Sequence, residues 1–159
     1  MNGDGGSRFW NRVRYRLGGE EFRGKPANVF WSQVAFYNFI QSPVSGGARV
    51  RPTGDQWAVA APAFLEVLMK LRPDRVWIIG RELWRHIPAR QGKGPDITVE
   101  GATIPLEWFT LEDGQKAFVT ATPHPASSLF VRELAPALAE FVHREFGTDG
   151  SNLGLASVA

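Results

Sequence analysis

The side chain with the clearest capacity for chemistry is His124, which stands between Pro123 and Pro125. The residues before it, from Phe118 to Thr122, are β-branched, aromatic or small, a composition typical of a buried strand. The two prolines remove backbone donors and disfavour helical geometry in the residues that precede them. His124 is therefore predicted to occupy a restricted loop at the carboxyl end of a strand, where open α/β sheets bind ligands. An imidazole held there offers an N–H group to a bound molecule.

Asn38 is the second candidate, because it lies near the end of an almost continuously apolar segment that runs from Val29 to Ile40. We predict a helical turn near Trp31 and then a buried strand over Val34–Phe39. The side-chain amide of Asn38 combines an acceptor with two donors, which suits it to recognise a polar ring. The structural alternative is an asparagine that satisfies the backbone of a turn after the strand.

The elements that must position these residues follow a helix–strand–helix order. Thr53-Gly-Asp-Gln resembles a capping box, and apolar residues then recur at helical spacing as far as Leu71. A strand is predicted over Arg75–Ile79, closed by Gly80, and a short helix over Arg81–His86. This order is typical of a parallel α/β unit. We therefore predict a three-layer α/β/α sandwich around a short, mainly parallel sheet.

Turn signals and apolar periodicity divide the rest of the chain. Gln91–Gly101 is predicted to be a loop, and Thr103–Phe109 and Gln115–Ala121 are predicted to be strands joined across a tight turn. A helix is predicted over Leu129–Phe146, with Pro136 marking its start.

Length and composition indicate one globular domain. We expect an N-terminal extension over residues 1–25 with a short helix from Arg8 to Leu17, the α/β domain over 26–147 and a flexible tail over 148–159. No apolar run reaches the ~18 residues of a membrane helix and no signal peptide is evident, so a cytoplasmic location is expected.

The absence of cysteine excludes thiolate chemistry, and the three histidines are too scattered to predict a metal site. Arginines concentrate in residues 1–25 and 72–93, which suits either a phosphate-facing surface or solvated helix faces.

Several of these segments, taken in order, resemble the uracil-DNA glycosylase superfamily. His124-Pro-Ala-Ser-Ser-Leu129 is similar to the family's His-Pro-Ser motif. Asp55–Leu71, Val76–Gly80 and Glu82-Leu-Trp84 match its middle region, and Asn38 stands where the family has the asparagine that ends its second core strand. The resemblance spans roughly residues 30–146. It implies an enzyme that extrudes a base from DNA and hydrolyses the N-glycosidic bond without a metal or cofactor.

The resemblance also implies a role for each candidate. His124 would donate to a carbonyl oxygen of the departing uracil, a contribution of ~3–4 kcal/mol by analogy with oxyanion holes. Asn38 would pair with the ring N–H and carbonyl of uracil, and Phe36, Tyr37 or Phe39 would stack on the base unless they are core aromatics. The following loop would contact DNA, with Leu129 or Phe130 as an apolar wedge. Its hydroxyl residues, Ser127 and Ser128, would contact phosphates or cap the next helix.

Two features depart from the family's pattern. Ala126 replaces the usual serine, and no segment before Asn38 resembles the first motif, a Gly-containing loop that carries the acid or water-positioning residue. Either the sequence begins downstream of that motif, or the motif has been lost. Three functions therefore stay open: an active glycosylase, a DNA- or base-binding module without catalysis, and a small-nucleotide α/β enzyme or interaction domain.

Overall fold

The computed structural model describes residues 10, 13, 14, 26–44, 50–124 and 134–147, and its elements combine helices with a mixed sheet. The helices are α1 (Ala27–Trp31), α2 (Gly54–Leu71), α3 (Arg81–His86) and α4 (Ala135–His143). The strands are β1 (Arg75–Ile79), β2 (Gly92–Lys93), β3 (Ile97–Val99), β4 (Ala102–Ile104), β5 (Glu107–Thr110) and β6 (Lys116–Thr122).

The long helix α2 begins and ends where local sequence signals predict. The Thr53 hydroxyl accepts from the Gln56 N–H and the Gln56 side chain accepts from the Thr53 N–H, so the predicted capping box is confirmed. Ala60, Phe64 and Leu68 recur every four residues and form the buried face. The helix ends at Arg72, which adopts a left-handed conformation (φ 48°) and donates its N–H to the Leu68 carbonyl over 2.9 Å.

The main sheet has the strand order β1-β6-β5-β2. β1 pairs with β6 in parallel, in the register Arg75↔Phe118 to Ile79↔Thr122, while β5–β6 and β2–β5 pair antiparallel. The prediction of a mainly parallel sheet is therefore wrong for the described strands. The five residues between β5 and β6 are too few for a crossover and force an antiparallel hairpin, whereas the connection from β1 to β6 includes α3 and allows parallel pairing.

Apolar residues cover both faces of this sheet, because successive strand side chains point to opposite sides. One cluster, the helix-side core, joins the sheet to α2 and α3; the other, the hairpin-side core, joins it to α4 and the β3–β4 hairpin. The helix-side core contains Phe39, Ala60, Phe64, Leu68, Ile78, Ile87, Phe109, Leu111, Ala117 and Val119. The hairpin-side core contains Ile97, Ala102, Ile104, Leu106, Phe118, Ala137, Leu138 and Phe141.

The segment Val34–Phe39 is not a strand, which corrects the prediction made for it. Residues 34–38 belong to no strand or helix, and Asn38 is exposed. The segment is held instead by side chains, since Phe39 is buried and Tyr37 packs against the helix-side core. Apolar composition predicted burial correctly at Phe39, but a strand also needs a neighbouring backbone with which to pair.

Three other boundaries differ from the sequence-based predictions. The predicted strand Thr103–Phe109 is divided into β4 and β5 at Pro105, because proline has no backbone N–H to donate. The predicted loop Gln91–Gly101 contains β2 and β3. The last helix covers Ala135–His143, with Pro136 in its first turn as expected, and ends before Phe146.

Part of the predicted organisation falls outside the described residues. Trp10, Val13 and Arg14 are helical, in agreement with the predicted N-terminal helix, whose bounds Arg8 and Leu17 lie outside the described ranges. The tail 148–159 and the DNA-contact candidates Ser127, Ser128, Leu129 and Phe130 lie outside them too. Every helix within the described ranges is too short or too polar to span a bilayer.

Candidate functional site

His124 lies just beyond the shared carboxyl edge of β1 and β6. The two strands run parallel, and β6 ends at Thr122, so that Pro123 leads into an exposed His124. Directly after β1 the chain turns at Gly80, whose φ of +117° is favourable for glycine. The Gly80 N–H donates to the Thr122 carbonyl over 2.8 Å. The predicted position of His124 at a strand's carboxyl end is therefore confirmed.

The side chain of Thr122 secures this strand end from within. Thr122 is 2% exposed, and its hydroxyl oxygen accepts from the Trp77 indole N–H over 2.8 Å. The same hydroxyl donates to the Pro123 carbonyl over 3.1 Å. Both capacities of the hydroxyl are used, so its burial leaves no polar group unsatisfied.

The amino end of α2 reaches the same edge of the sheet. The helix is about 27 Å long and joins β1 through a turn of three residues, so its two ends lie near opposite edges of the sheet. Two contacts support this arrangement. Arg51, just before the capping box, forms an ion pair with Glu82 in the first turn of α3. Trp57, in the first turn of α2, stacks on the imidazole of His86 with ring centres 4.1 Å apart and an interplanar angle of 9°.

Asn38 lies on an irregular segment, residues 34–38, whose neighbouring side chains pack on α2. On one side of it Tyr37 packs towards Phe64 with ring centres 6.3 Å apart, and on the other Phe39 contacts both Phe64 and Trp57, at 5.7 and 5.9 Å. Asn38 itself is exposed, and its backbone carbonyl accepts from the Gln41 side chain over 2.6 Å. Its side-chain amide is thus presented to solvent from a backbone fixed by two flanking aromatics.

Gln56 completes the support of this segment. Its side-chain nitrogen donates to the Ser42 hydroxyl over 2.9 Å and to the Pro43 carbonyl over 3.2 Å, while its side-chain oxygen takes part in the helix cap. One residue therefore caps α2 and fastens the loop that follows Asn38.

The three candidate stacking aromatics occupy different environments. Phe39 is buried in the helix-side core and Tyr37 is half-buried against it, which fits the core-aromatic alternative for both. Phe36 is 53% exposed and packs edge-on against Trp10, with ring centres 4.6 Å apart. Phe36 is therefore the most accessible of the three rings.

Exposed arginines stand beside the strand ends. Arg81 and Arg85 are four residues apart on α3 and therefore lie on one side of that helix. Because α3 starts directly after Gly80, these guanidinium groups are carried on the element that leaves the carboxyl edge. Such groups are suited to contact phosphate. The described residues contain no group of three or more His, Asp or Glu side chains arranged to hold a metal ion.

A cavity of about 460 Å³ lies among the described residues at the opposite edge, near the start of β1 and β6. Two of the polar side chains that line it make hydrogen bonds within the fold. The Arg75 guanidinium donates to the carbonyls of Phe141 and Arg144, and the Gln115 side chain donates to Asp74. The side chains of Arg75 and Gln115 therefore stabilise the packing around this cavity.

Sequence reasoning did not identify Trp77, Thr122 or Gln56 as contributors to this edge. Gln56 was recognised as a cap only, and no local pattern indicates its bonds to Ser42 and Pro43. The contact between Trp77 and Thr122 spans 45 positions and depends on the register of β1 with β6. The apolar and β-branched composition of β6, which predicts a buried strand, is the one sequence signal for the burial of Thr122.

None of the family models, curated proteins or solved structures compared with this chain matches it. The chemistry of this edge must therefore be argued from its own geometry and from the sequence resemblance.

Proposed function

We propose that the carboxyl edge of β1 and β6 binds a base of DNA, and that the protein is a uracil-DNA-glycosylase-like hydrolase acting in the cytoplasm. The observation that carries the proposal is the exposed His124 at the end of a parallel strand pair, on a loop that begins from a fully hydrogen-bonded Thr122. Ligand sites in open α/β sheets lie at this position. The motif around His124 adds the resemblance to base-excision enzymes.

In the proposed reaction the bond between the deoxyribose C1′ and uracil N1 breaks, and its electron pair leaves with the base. A water oxygen bonds to C1′ and releases its proton to solvent. Negative charge then develops on the carbonyl oxygens of uracil, and the His124 imidazole N–H donates to one of them. A neutral imidazole is sufficient for this donation. Hydrolysis of this kind needs no metal and no cofactor.

Base selection is assigned to Asn38. Its side-chain carbonyl accepts from the uracil ring N–H and its NH₂ group donates to the adjacent carbonyl, a pattern that cytosine does not match. Phe36, the exposed aromatic neighbour, is the preferred stacking partner for the extruded base. Leu129 or Phe130 is assigned to the gap left in the duplex, and Ser127 and Ser128 to phosphate contacts.

The proposal includes the three-layer architecture of the resembling family. In this arrangement α2 and α3 form one layer, the β1-β6-β5-β2 sheet the second, and α4 with the β3–β4 hairpin the third. The presence of an apolar cluster on each face of the sheet supports it.

A second candidate is a DNA- or base-binding module without catalysis. The exposure of both Asn38 and His124 favours it, because cleavage of a glycosidic bond by electrostatic stabilisation is most effective where water is excluded. Such a module would bind DNA with strong salt dependence and release no base.

Release of free uracil from uracil-containing single- and double-stranded oligonucleotides tests the enzyme directly. We expect His124→Ala to lower the rate of release by about 10²–10³-fold with little loss of DNA binding, because it removes one donor to the leaving group. His143→Ala is the matched control, since His143 is an exposed histidine at the end of α4. If the folded wild-type protein releases no uracil, the enzyme is excluded.

DNA affinity measured by fluorescence anisotropy at several salt concentrations separates the two candidates. Salt-sensitive binding without base release supports the module, and Asn38→Asp should then abolish any preference for uracil over cytosine. Absence of binding at low salt would exclude both.

A further inference from the structure

Three hydrogen bonds converge on Thr122 at the point where β6 ends. Its carbonyl accepts from the Gly80 N–H over 2.8 Å, and its hydroxyl accepts from the Trp77 indole over 2.8 Å and donates to the Pro123 carbonyl over 3.1 Å. Two of the three donors therefore come from β1 and the turn directly after it. We call this set of bonds the Thr122 latch.

The parallel register explains why Trp77 can take part. Trp77 is paired with Thr120, so Trp77, Thr120 and Thr122 point to the same face of the sheet. The indole is long enough to pass Thr120 and reach the hydroxyl two residues further along β6. Thr120 is left to donate its own hydroxyl to the Pro105 carbonyl over 2.6 Å.

The latch acts on the peptide group that precedes His124. Pro123 has no N–H, so its carbonyl is its single backbone hydrogen-bonding group, and that carbonyl belongs to the Pro123–His124 peptide. The proline ring restricts φ at Pro123, and the bond from Thr122 restrains the rotation of the next peptide plane. Together they limit the two dihedral angles that set the direction in which the chain enters His124.

We propose that Trp77 and Thr122 are positioning residues for the His124 imidazole, a role that rests on the function proposed above. Neither side chain needs to touch the base, because both act through the peptide between Pro123 and His124. A hydrogen-bond donor in a preorganised site loses much of its effect when it is displaced by about 1 Å.

The test compares Thr122→Val and Trp77→Phe with Thr120→Val. Thr122→Val and Thr120→Val each remove a buried hydroxyl with little change of volume, and Trp77→Phe removes the indole N–H together with one ring of a partly buried side chain. The Thr120 hydroxyl bonds to Pro105 and, among the described residues, makes no bond to the His124 loop. We expect Thr122→Val and Trp77→Phe to lower kcat for uracil release by about 10–100-fold with KM changed by less than about twofold. Thr120→Val should retain the wild-type kcat, and Thr122→Ser, which restores the hydroxyl, should recover it.

The NMR resonances of the His124 ring provide a readout that needs no catalysis. Thr122→Val and Trp77→Phe should shift or broaden them, Thr120→Val should not, and the His143 ring serves as an internal reference in each sample. If these shifts appear but no variant and no wild-type protein releases uracil, the latch stands and the proposed function fails. If Thr122→Val behaves like Thr120→Val in both measurements, the proposal is overturned. Should Thr122→Val not fold, Trp77→Phe, which removes the donor to the Thr122 hydroxyl, decides the same question.

Discussion

Thr120 and Thr122 are the buried polar residues of the described core, and they show how similar side chains acquire different roles. Each hydroxyl has the partners that burial requires, since an unsatisfied buried hydroxyl costs about 1–3 kcal/mol. The Thr120 hydroxyl joins β6 to Pro105, within the body of the domain. The Thr122 hydroxyl joins β1 to the residue before His124. The difference lies in the location of the partner, so only the second threonine is linked to the candidate site.

Asp113 gives a prediction for acid stability at the same scale. The Gln115 backbone N–H, at 3.1 Å, and the Arg72 guanidinium both stabilise the Asp113 carboxylate, and they lower its pKa from the ordinary value. Because the pKa of Asp113 is lower in the folded protein than in the unfolded chain, the unfolded chain binds more protons than the folded protein as the pH falls. The contribution of Asp113 to stability is therefore present above about pH 4 and is lost below it.

We therefore expect the urea midpoint to fall more steeply between pH 6 and pH 3 for the wild-type protein than for Asp113→Asn. The effect should be small, because Asp113 is exposed and solvent screens the interaction. Equal falls in the two proteins would contradict the assignment of the pKa shift to this carboxyl.

At the level of elements, α2 supports the site from its amino end. Its capping box places Gln56 in the first turn, and from there the side chain reaches Ser42 and Pro43, beyond Asn38. The segment that carries Asn38 is therefore positioned by its contacts with α2 and not by hydrogen bonds to a neighbouring strand.

Two substitutions in the capping box should separate helix stability from loop position. Thr53→Ala removes one cap bond and should lower the free energy of unfolding by about 1 kcal/mol. Gln56→Ala removes a cap bond and both bonds to the loop, so it should also shift the backbone NMR resonances of Ser42 and Val44. Urea unfolding and amide chemical shifts measure the two effects. If Thr53→Ala perturbs these loop resonances as strongly as Gln56→Ala, the tether is not specific to the Gln56 side chain.

At the level of the whole molecule, the arrangement of charge differs between the two edges of the sheet. The carboxyl edge carries exposed Arg81 and Arg85 on one side of α3, whereas at the amino edge the exposed carboxylate of Asp113 is paired with Arg72. A polyanion would therefore meet two exposed guanidinium groups at the edge with His124.

Arg85 and Lys70 form a matched pair for testing this asymmetry. Both are exposed cations in the last turn of a helix, but Lys70 ends α2 near the amino edge. If the carboxyl edge contacts DNA, Arg85→Gln should weaken binding at low salt and reduce the slope of log K against log salt concentration by about one, while Lys70→Gln should leave that slope unchanged. Anisotropy titrations across a salt series would show this difference. A larger effect from Lys70→Gln would place the DNA surface elsewhere.

Local signals in the sequence were sufficient for α2, β1 and α3. The capping box at Thr53, the apolar repeat up to Leu68 and the glycine after β1 each act within a few residues, so the chain near them specifies the element. The same holds for His124, because the prolines on either side and the apolar strand before it are adjacent in sequence. The sequence by itself therefore determined where α2, β1 and α3 begin and end, and that His124 follows a strand.

Tertiary structure decided which elements meet. Val34–Phe39 has the composition of a strand, yet it packs on α2 through side chains and forms no ladder within the described residues. The parallel pairing of β1 with β6 and the antiparallel order of the other strands of that sheet depend on connections of different length. The bond from Trp77 to Thr122 exists because that pairing has one particular register. Contacts between residues far apart in sequence leave no local pattern, so the support of His124 became visible only in the folded chain.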